Sequence, residues 1–297
     1  PELSATELKV SCYNTMFSGC ASLVQAPALQ ATTLATGCCF SMFKGCTSLV
    51  QAPKLPATAL ANNCYYEMFK GCTSLTQAPE LPATTLADYC YYSMFSNCTS
   101  LTQAPELPAT EIIVTDCYNG MFSGCASLVQ APELPSNVAY INCYSFMFYG
   151  CTSLVQAPEL PAKTLFSECY FQMFYGCTSL VQAPKLPAKT LAESCYHGMF
   201  EGCTKLNYVK CLATKTSATD CTTNWLNNVA STGTFECDNK KYFTIDSPKG
   251  IPVGWTITEI NPDPPTPPDP EKPDLDTFDP NVPFCIENVG DVPVEIG

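Results

Sequence analysis

Acid–base catalysis has almost nothing to work with in this chain, whose 297 residues include one histidine, His197. Histidine is the side chain such chemistry most often uses. No Gly-rich phosphate loop occurs, and no Ser, Cys or Asp motif has a base spaced to serve it. There is no CxxC pair from which a zinc site could start, so no metal, cofactor or enzymatic activity is expected. Charged residues make up 14% of the chain, against the usual quarter. They form no basic patch, which argues against nucleic acid as a partner. No apolar run approaches the ~18–20 residues that cross a bilayer. An initiator Met, a signal peptide and a lipobox are also missing, as expected of a mature or trimmed chain. The surface is left to Thr, Ser, Asn, Gln and Tyr, a composition suited to the outside of a cell.

What is present is repetition. The motif Cys-Tyr-x-x-Met-Phe-x-Gly-Cys places its first cysteine at Cys12, Cys38, Cys64, Cys90, Cys117, Cys143, Cys169 and Cys195. The step is 26 residues, except for 27 between Cys90 and Cys117, where Glu111-Ile112-Ile113 holds the extra residue. A second cysteine follows eight positions after each first one, from Cys20 to Cys203.

The unit at 82–107 shows the local physics. Pro82 stops what precedes it, and Thr84 or Thr85 can serve as an N-cap. Leu86, Cys90 and Met94 at i, i+4 and i+8, with Phe95 beside them, predict a short one-sided helix. In most units a Gly (Asn97 here) follows the Met-Phe pair and suits a left-handed helix end. Thr99 to Ala104 is extended in character, and Pro105, lacking an N–H, keeps that strand very short. One unit cannot bury its apolar side chains alone, so stacking must close the core. The period lies within the ~20–29 residues of leucine-rich repeats. The expected fold is an α/β repeat solenoid, a leucine-rich-repeat-like curved stack with short parallel strands on one face and short helices on the other.

The phrases Met-Phe-x-Gly-Cys-Thr-Ser-Leu and Ala-Pro-Glu-Leu-Pro-Ala-Thr-Thr-Leu-Ala resemble the BspA-like leucine-rich repeats of gut and oral Bacteroidetes surface proteins, over residues 1–260. The resemblance implies a secreted or surface-anchored adhesin without catalysis. Related repeats occur in phage and protist surface proteins. One departure is the proline after the strand (Pro27, Pro53, Pro79), where many members have an Ile-rich strand. The implied fold survives that change, but the family's binding surface does not transfer.

Pro1 to Thr6 aligns with Pro27 to Thr32, so the first unit begins in mid-repeat and a preceding repeat or cap is expected. At the other end Cys221 opens a ninth, divergent unit with Trp225-Leu226 in the Met-Phe positions. Residues 204–260 are expected to form a divergent C-terminal cap, with a β-rich part from Tyr242 to Ile260. Residues 261–283 read as an extended Pro/Asp-rich linker, and 284–297 as the start of a β-rich segment or a truncated domain. Residues 261–297 hold nine acids and one lysine, more than half of the net charge of −13.

The two repeat cysteine columns admit two readings. Each is either a ladder of small buried hydrophobes or one half of a disulfide per repeat, such as Cys64 to Cys72. The ninth unit has Val229 where the second cysteine would stand, which would orphan Cys221. On a continuous helix an i, i+8 pair would also lie ~12 Å apart, beyond disulfide reach. Cys211 and Cys237 fall on neighbouring strands ~4.8 Å apart and are a candidate disulfide.

In a solenoid the core columns repeat because stacking demands it, so specificity belongs to the columns that vary. One runs beside the strands through Ala28, Lys54, Glu80, Glu106, Glu133, Glu159 and Lys185. A second, expected on the helical side, runs from Asn14 through Phe40, Tyr66, Tyr92, Asn119, Ser145 and Phe171 to His197, with Tyr149 and Tyr175 nearby. Its aromatics either pack repeat on repeat or offer stacking surfaces for sugars or protein. His197 in this position is incidental to chemistry. A constant column, Gln25 to Gln182, is either a stacked amide ladder or a polar binding strip.

The candidate binding residues are Glu80, Glu106, Glu133 and Glu159, with Tyr66, Tyr92 and Phe171 as the alternative face. The expected partner is a host or bacterial surface protein or a glycan, and self-association is compatible with the repeats. Alternative readings are a carbohydrate-binding module of a surface glycan-handling system and a phage or viral surface decoration.

Overall fold

A computed structural model describes residues 2–107, 114–135, 137–245 and 249–260. The chain divides after Ile260. The expected linker and β-rich segment at 261–297 lie outside the described residues. The described residues build a parallel-strand β-solenoid of about ten turns.

On one wall each turn touches the next through a single parallel bridge at the glutamine column: Gln25 to Gln51, Gln51 to Gln77, Gln77 to Gln103, Gln103 to Gln130 and Gln130 to Gln156. Two residues after each glutamine stands a proline with no N–H to extend the ladder, so the strand is one residue long. Short pairs lie elsewhere in the turn, including β1 (Glu2–Leu3) with β2 (Ala28–Leu29) and β3 (Val138–Ala139) with β4 (Thr164–Leu165). Among the described residues longer strands occur only in the cap, where β5 (Tyr208–Cys211), β6 (Gly233–Cys237) and β7 (Trp255–Glu259) form a parallel sheet in that order.

The opposite wall overturns the expected helices. Among the described residues there is no α-helix; the one helical element is a 3-10 turn at Lys240–Tyr242. The Cys-Tyr-x-x-Met-Phe-x-Gly-Cys segment is instead a chain of linked β-turns. In the first unit Cys12, Asn14, Met16, Ser18 and Cys20 donate their N–H groups three residues back, to Lys9, Ser11, Tyr13, Thr15 and Phe17. The residues between them, Ser11, Tyr13, Thr15, Phe17 and Gly19, donate to carbonyls of the next turn, at Thr36, Cys38, Phe40, Met42 and Lys44. The wall thus carries its own inter-repeat ladder.

Every fourth residue takes left-handed backbone, as at Ser11, Thr15 and Gly19 (φ 55°, 54° and 75°). Such a residue sits at the third position of every other turn, as a type II turn requires, and it ends any α-helix. The result is a strict period of four: two side chains in, two out. The i, i+4, i+8 spacing of the apolar residues is common to this arrangement and to a helix.

The inward columns stack into one core. The phenylalanines from Phe17 to Phe200 lie in a single file, centroids 5.4 to 5.8 Å apart and nearly parallel. Tyr65, Tyr91, Tyr118, Tyr144, Tyr170 and Tyr196 form a second file that ends against Trp225. Met42 and its equivalents through Met199 are fully buried. In the cap Trp225 stacks on Phe243, and the Trp255 indole donates to the Ala230 carbonyl at 2.8 Å.

All twenty described cysteines carry free thiols. The second column has a specific partner: Cys46, Cys72 and Cys98 donate to the carbonyls of Phe17, Phe43 and Phe69, each at 3.1 Å, and the pattern continues to Cys203 on Phe174. Each thiol reaches back one turn, so the ladder ties repeat to repeat rather than closing a loop within one. Burial pushes the Cys72 thiol up to about 12 and Cys64 well above the ordinary range. Cys211 and Cys237 are register partners on β5 and β6, both buried and both free thiols.

Candidate binding face

The outward side chains of the bridge wall define an edge that runs along the stack. In each turn an exposed glutamine is followed by a half-buried or buried alanine, a proline, an exposed variable residue and a buried leucine. The alternation follows from the chain: the glutamine side chain faces out at its bridge, and the proline turns the backbone so that the leucine enters the core. Three concavities open between successive turns along this edge. Residues 103–107 and 130–135 line one of ≈ 600 Å³. Residues of 51–56 and 77–82 line another of ≈ 400 Å³, and residues of 25–30 and 51–56 a third of ≈ 460 Å³. Glutamine, alanine, proline and leucine line them together with the variable column.

That column contains the acids singled out from the sequence. Glu80, Glu106, Glu133 and Glu159 are all exposed, as are Lys54 and Lys185 at its ends. Among the described residues none of these six makes an ion pair. The structure adds a row that was not singled out: Val24, Val50, Val129, Val155 and Val181, each preceding a glutamine, stand 45 to 58% exposed. Their place beside an outward glutamine was the available signal, but alternation would have turned them inward. The amide ladder is not what joins the glutamines. The bridges are main chain, and among the described residues no side-chain hydrogen bond links one glutamine to the next.

The aromatic column lies on the turn wall. Phe40, Tyr66 and Tyr92 stack ring on ring at 4.5 and 4.6 Å, and Phe171 stacks on His197 at 4.8 Å. Tyr149 stacks on Tyr175 at 4.7 Å, and Phe146 meets Phe171 edge-on. All are half-buried. The faces between stacked partners are occupied by one another, which leaves mainly ring edges and phenol hydroxyls to a ligand. Of the column's polar members, Asn119 and Ser145 are buried and Asn14 is exposed; Asn119 donates to Asp116 at 2.7 Å. Burial pushes the Asp116 carboxyl up, against the pull of bonds from Asn119, Asn142 and Tyr89. Glu67 on this wall is bridged by Lys44 and Lys70 at 2.7 and 2.6 Å. The two candidate faces are therefore on separate walls; on the turn wall Glu67 and Asp116 have partners within the fold, whereas the six charged residues of the bridge edge make no ion pair among the described residues.

A stack of near-identical turns with a constant interior and variable outward columns defines a repeat solenoid whose working parts are its surface rows. The BspA type leucine rich repeat model matches this chain at residues 10–154 and 115–239, in six copies. The chain belongs to that family. No curated protein and no solved structure matches it.

Proposed function

We propose that this protein is a non-catalytic, extracellular or cell-surface scaffold that binds a protein or glycan partner along the Gln–Glu edge of its bridge wall. The observation that carries this reading is the run of concavities on one edge, beside charged side chains that make no ion pair among the described residues. Family membership supports it, since repeats of this type suggest surface or protein-interaction roles. Among the described residues no helix is long and apolar enough to cross a membrane.

The test is to reverse Glu80, Glu106, Glu133 and Glu159 to Lys and compare variant and wild type on a glycan array and a panel of extracellular proteins. Binding is lost while the unfolding temperature stays nearly constant, because exposed charges contribute little to stability. Binding that survives this reversal but is lost on Tyr66→Ser, Tyr92→Ser and Phe171→Ser moves the site to the turn wall.

A further inference from the structure

The order of charges along the edge is Lys54, Glu80, Glu106, Glu133, Glu159, Lys185, which reads the same from either end. We infer that this order bars the edge from pairing with a second copy of the chain and selects an extended polypeptide segment with a basic centre and acidic ends. The inference rests on reading this edge as the binding face.

A closed homodimer through one patch is two-fold symmetric. If the axis is perpendicular to the stack, Glu80 meets Glu159, Glu106 meets Glu133 and Lys54 meets Lys185 of the other copy. If the axis is parallel to the stack, every residue meets its own counterpart. With the six positions fully overlapped, both arrangements put like charge on like at every one of them; a register shifted to pair Lys54 with Glu80 leaves most of the row unmatched. The bar matters because the rest of the edge invites association, with the exposed valines, the alanine–proline lining and glutamines at a regular rise. A regular, exposed strand surface of that kind needs charge to keep copies apart.

The same order describes the partner. Its charges must be positive opposite the four glutamates and negative opposite the flanking lysines. One turn beyond Lys185 the column holds Lys210, half-buried and paired with Glu236 at 3.2 Å, and at the other end it reaches the neutral Ala28, so the unpaired frame stops at both ends. Width selects conformation. Glutamine and glutamate are three residues apart on one chain, so the groove is at most ~10 Å wide. A helix with its side chains needs about 10–12 Å, whereas an extended chain fits between the two rows. Length follows from the rise: five steps of ~4.8 Å span about 24 Å, which an extended segment of roughly seven residues covers.

Two experiments on the full chain test this. The first measures fluorescence anisotropy of three labelled heptapeptides at low salt: Asp-Pro-Lys-Lys-Lys-Pro-Asp, its charge-inverted counterpart, and heptalysine. The first peptide binds roughly tenfold tighter than heptalysine, the inverted one does not bind, and K54E/K185E reverses the preference toward heptalysine. Heptalysine binding wild type as tightly as the first peptide overturns the inference, since the edge would then be a plain acidic attractor.

The second is sedimentation of E133K/E159K/K185E, which places opposite charges at all six contacts of the perpendicular arrangement. That variant dimerises at concentrations where wild type remains monomeric through this edge. A monomeric triple variant, or a wild-type dimer that Val50→Lys and Val129→Lys dissolve, overturns the inference. Neither result depends on whether the four-glutamate reversal abolishes binding to a native target, so the two readings fail separately.

Discussion

Replacing Phe95 by Ala tests whether the aromatic file holds the solenoid together and whether its turns are coupled only to their neighbours. Phe95 is fully buried, stacked between Phe69 at 5.7 Å and Phe122 at 5.8 Å. Truncating a buried Phe to Ala costs ~3–5 kcal/mol, from lost transfer energy and the cavity left behind. Each ring–ring contact is worth ~0.5–1.5 kcal/mol of that. In a stack where each turn touches only adjacent turns, the loss stays near the turns that carry these three rings.

Hydrogen exchange by mass spectrometry resolves this. The amides of Phe69 and Phe95, which donate to Met94 and Met121 at 2.9 Å, span the damaged layer. They exchange about 100- to 4000-fold faster in the variant, at ~1.4 kcal/mol per decade. The amides around Phe200 and the cap sheet keep wild-type protection. Unchanged exchange and melting would falsify the core register. Uniform loss of protection from end to end refutes neighbour-only coupling.

Alkylation of the denatured, unreduced protein, read by intact mass, finds the twenty described cysteines reactive as free thiols; a mass consistent with one bond per repeat refutes the thiol ladder. In the native state the same reagent at pH 8 labels few thiols beyond the exposed Cys12 and Cys20, because burial disfavours the thiolate elsewhere. Stability falls above about pH 9: a thiol raised from 9.0 to about 12, as at Cys72, is still protonated in the fold when the unfolded chain ionises, so its contribution is lost between those values. Thermal melts from pH 7 to 11 check this, and a flat profile contradicts it. Gly71→Ala costs about 1–2 kcal/mol, because φ is +75° there although the added Cβ would meet Gly45 Cα only at 3.7 Å. A melt unchanged by that substitution speaks against the left-handed turn.

The sequence alone determined the period, the inward identity of the Met, Phe and Leu columns, the brevity of the strand ended by the following proline, and the order of charges beside it. These are legible because each repeats down the chain, and repetition survives any local conformation. It did not determine how the Cys-to-Cys segment closes. Apolar residues at i, i+4 and i+8 satisfy a helix of period 3.6 and a turn chain of period four equally over nine residues.

The distinguishing signal was present but divided between columns. Gly37, Asn63, Asp116, Asn142 and Asp220 stand at one left-handed position, and Gly120, Gly198 and Asn224 four residues on. Glu67, Phe146 and Gln172 share that second column and disguise it. Tertiary structure decided for turns because a helix satisfies its N–H groups within itself. The turn chain sends every second N–H to the next repeat, and that gain exists only once a neighbour is stacked. The same stacking carried each Cys46-type thiol onto the carbonyl of the preceding turn. It also left the glutamate row facing solvent on one edge while the aromatic row was consumed by packing on the other wall.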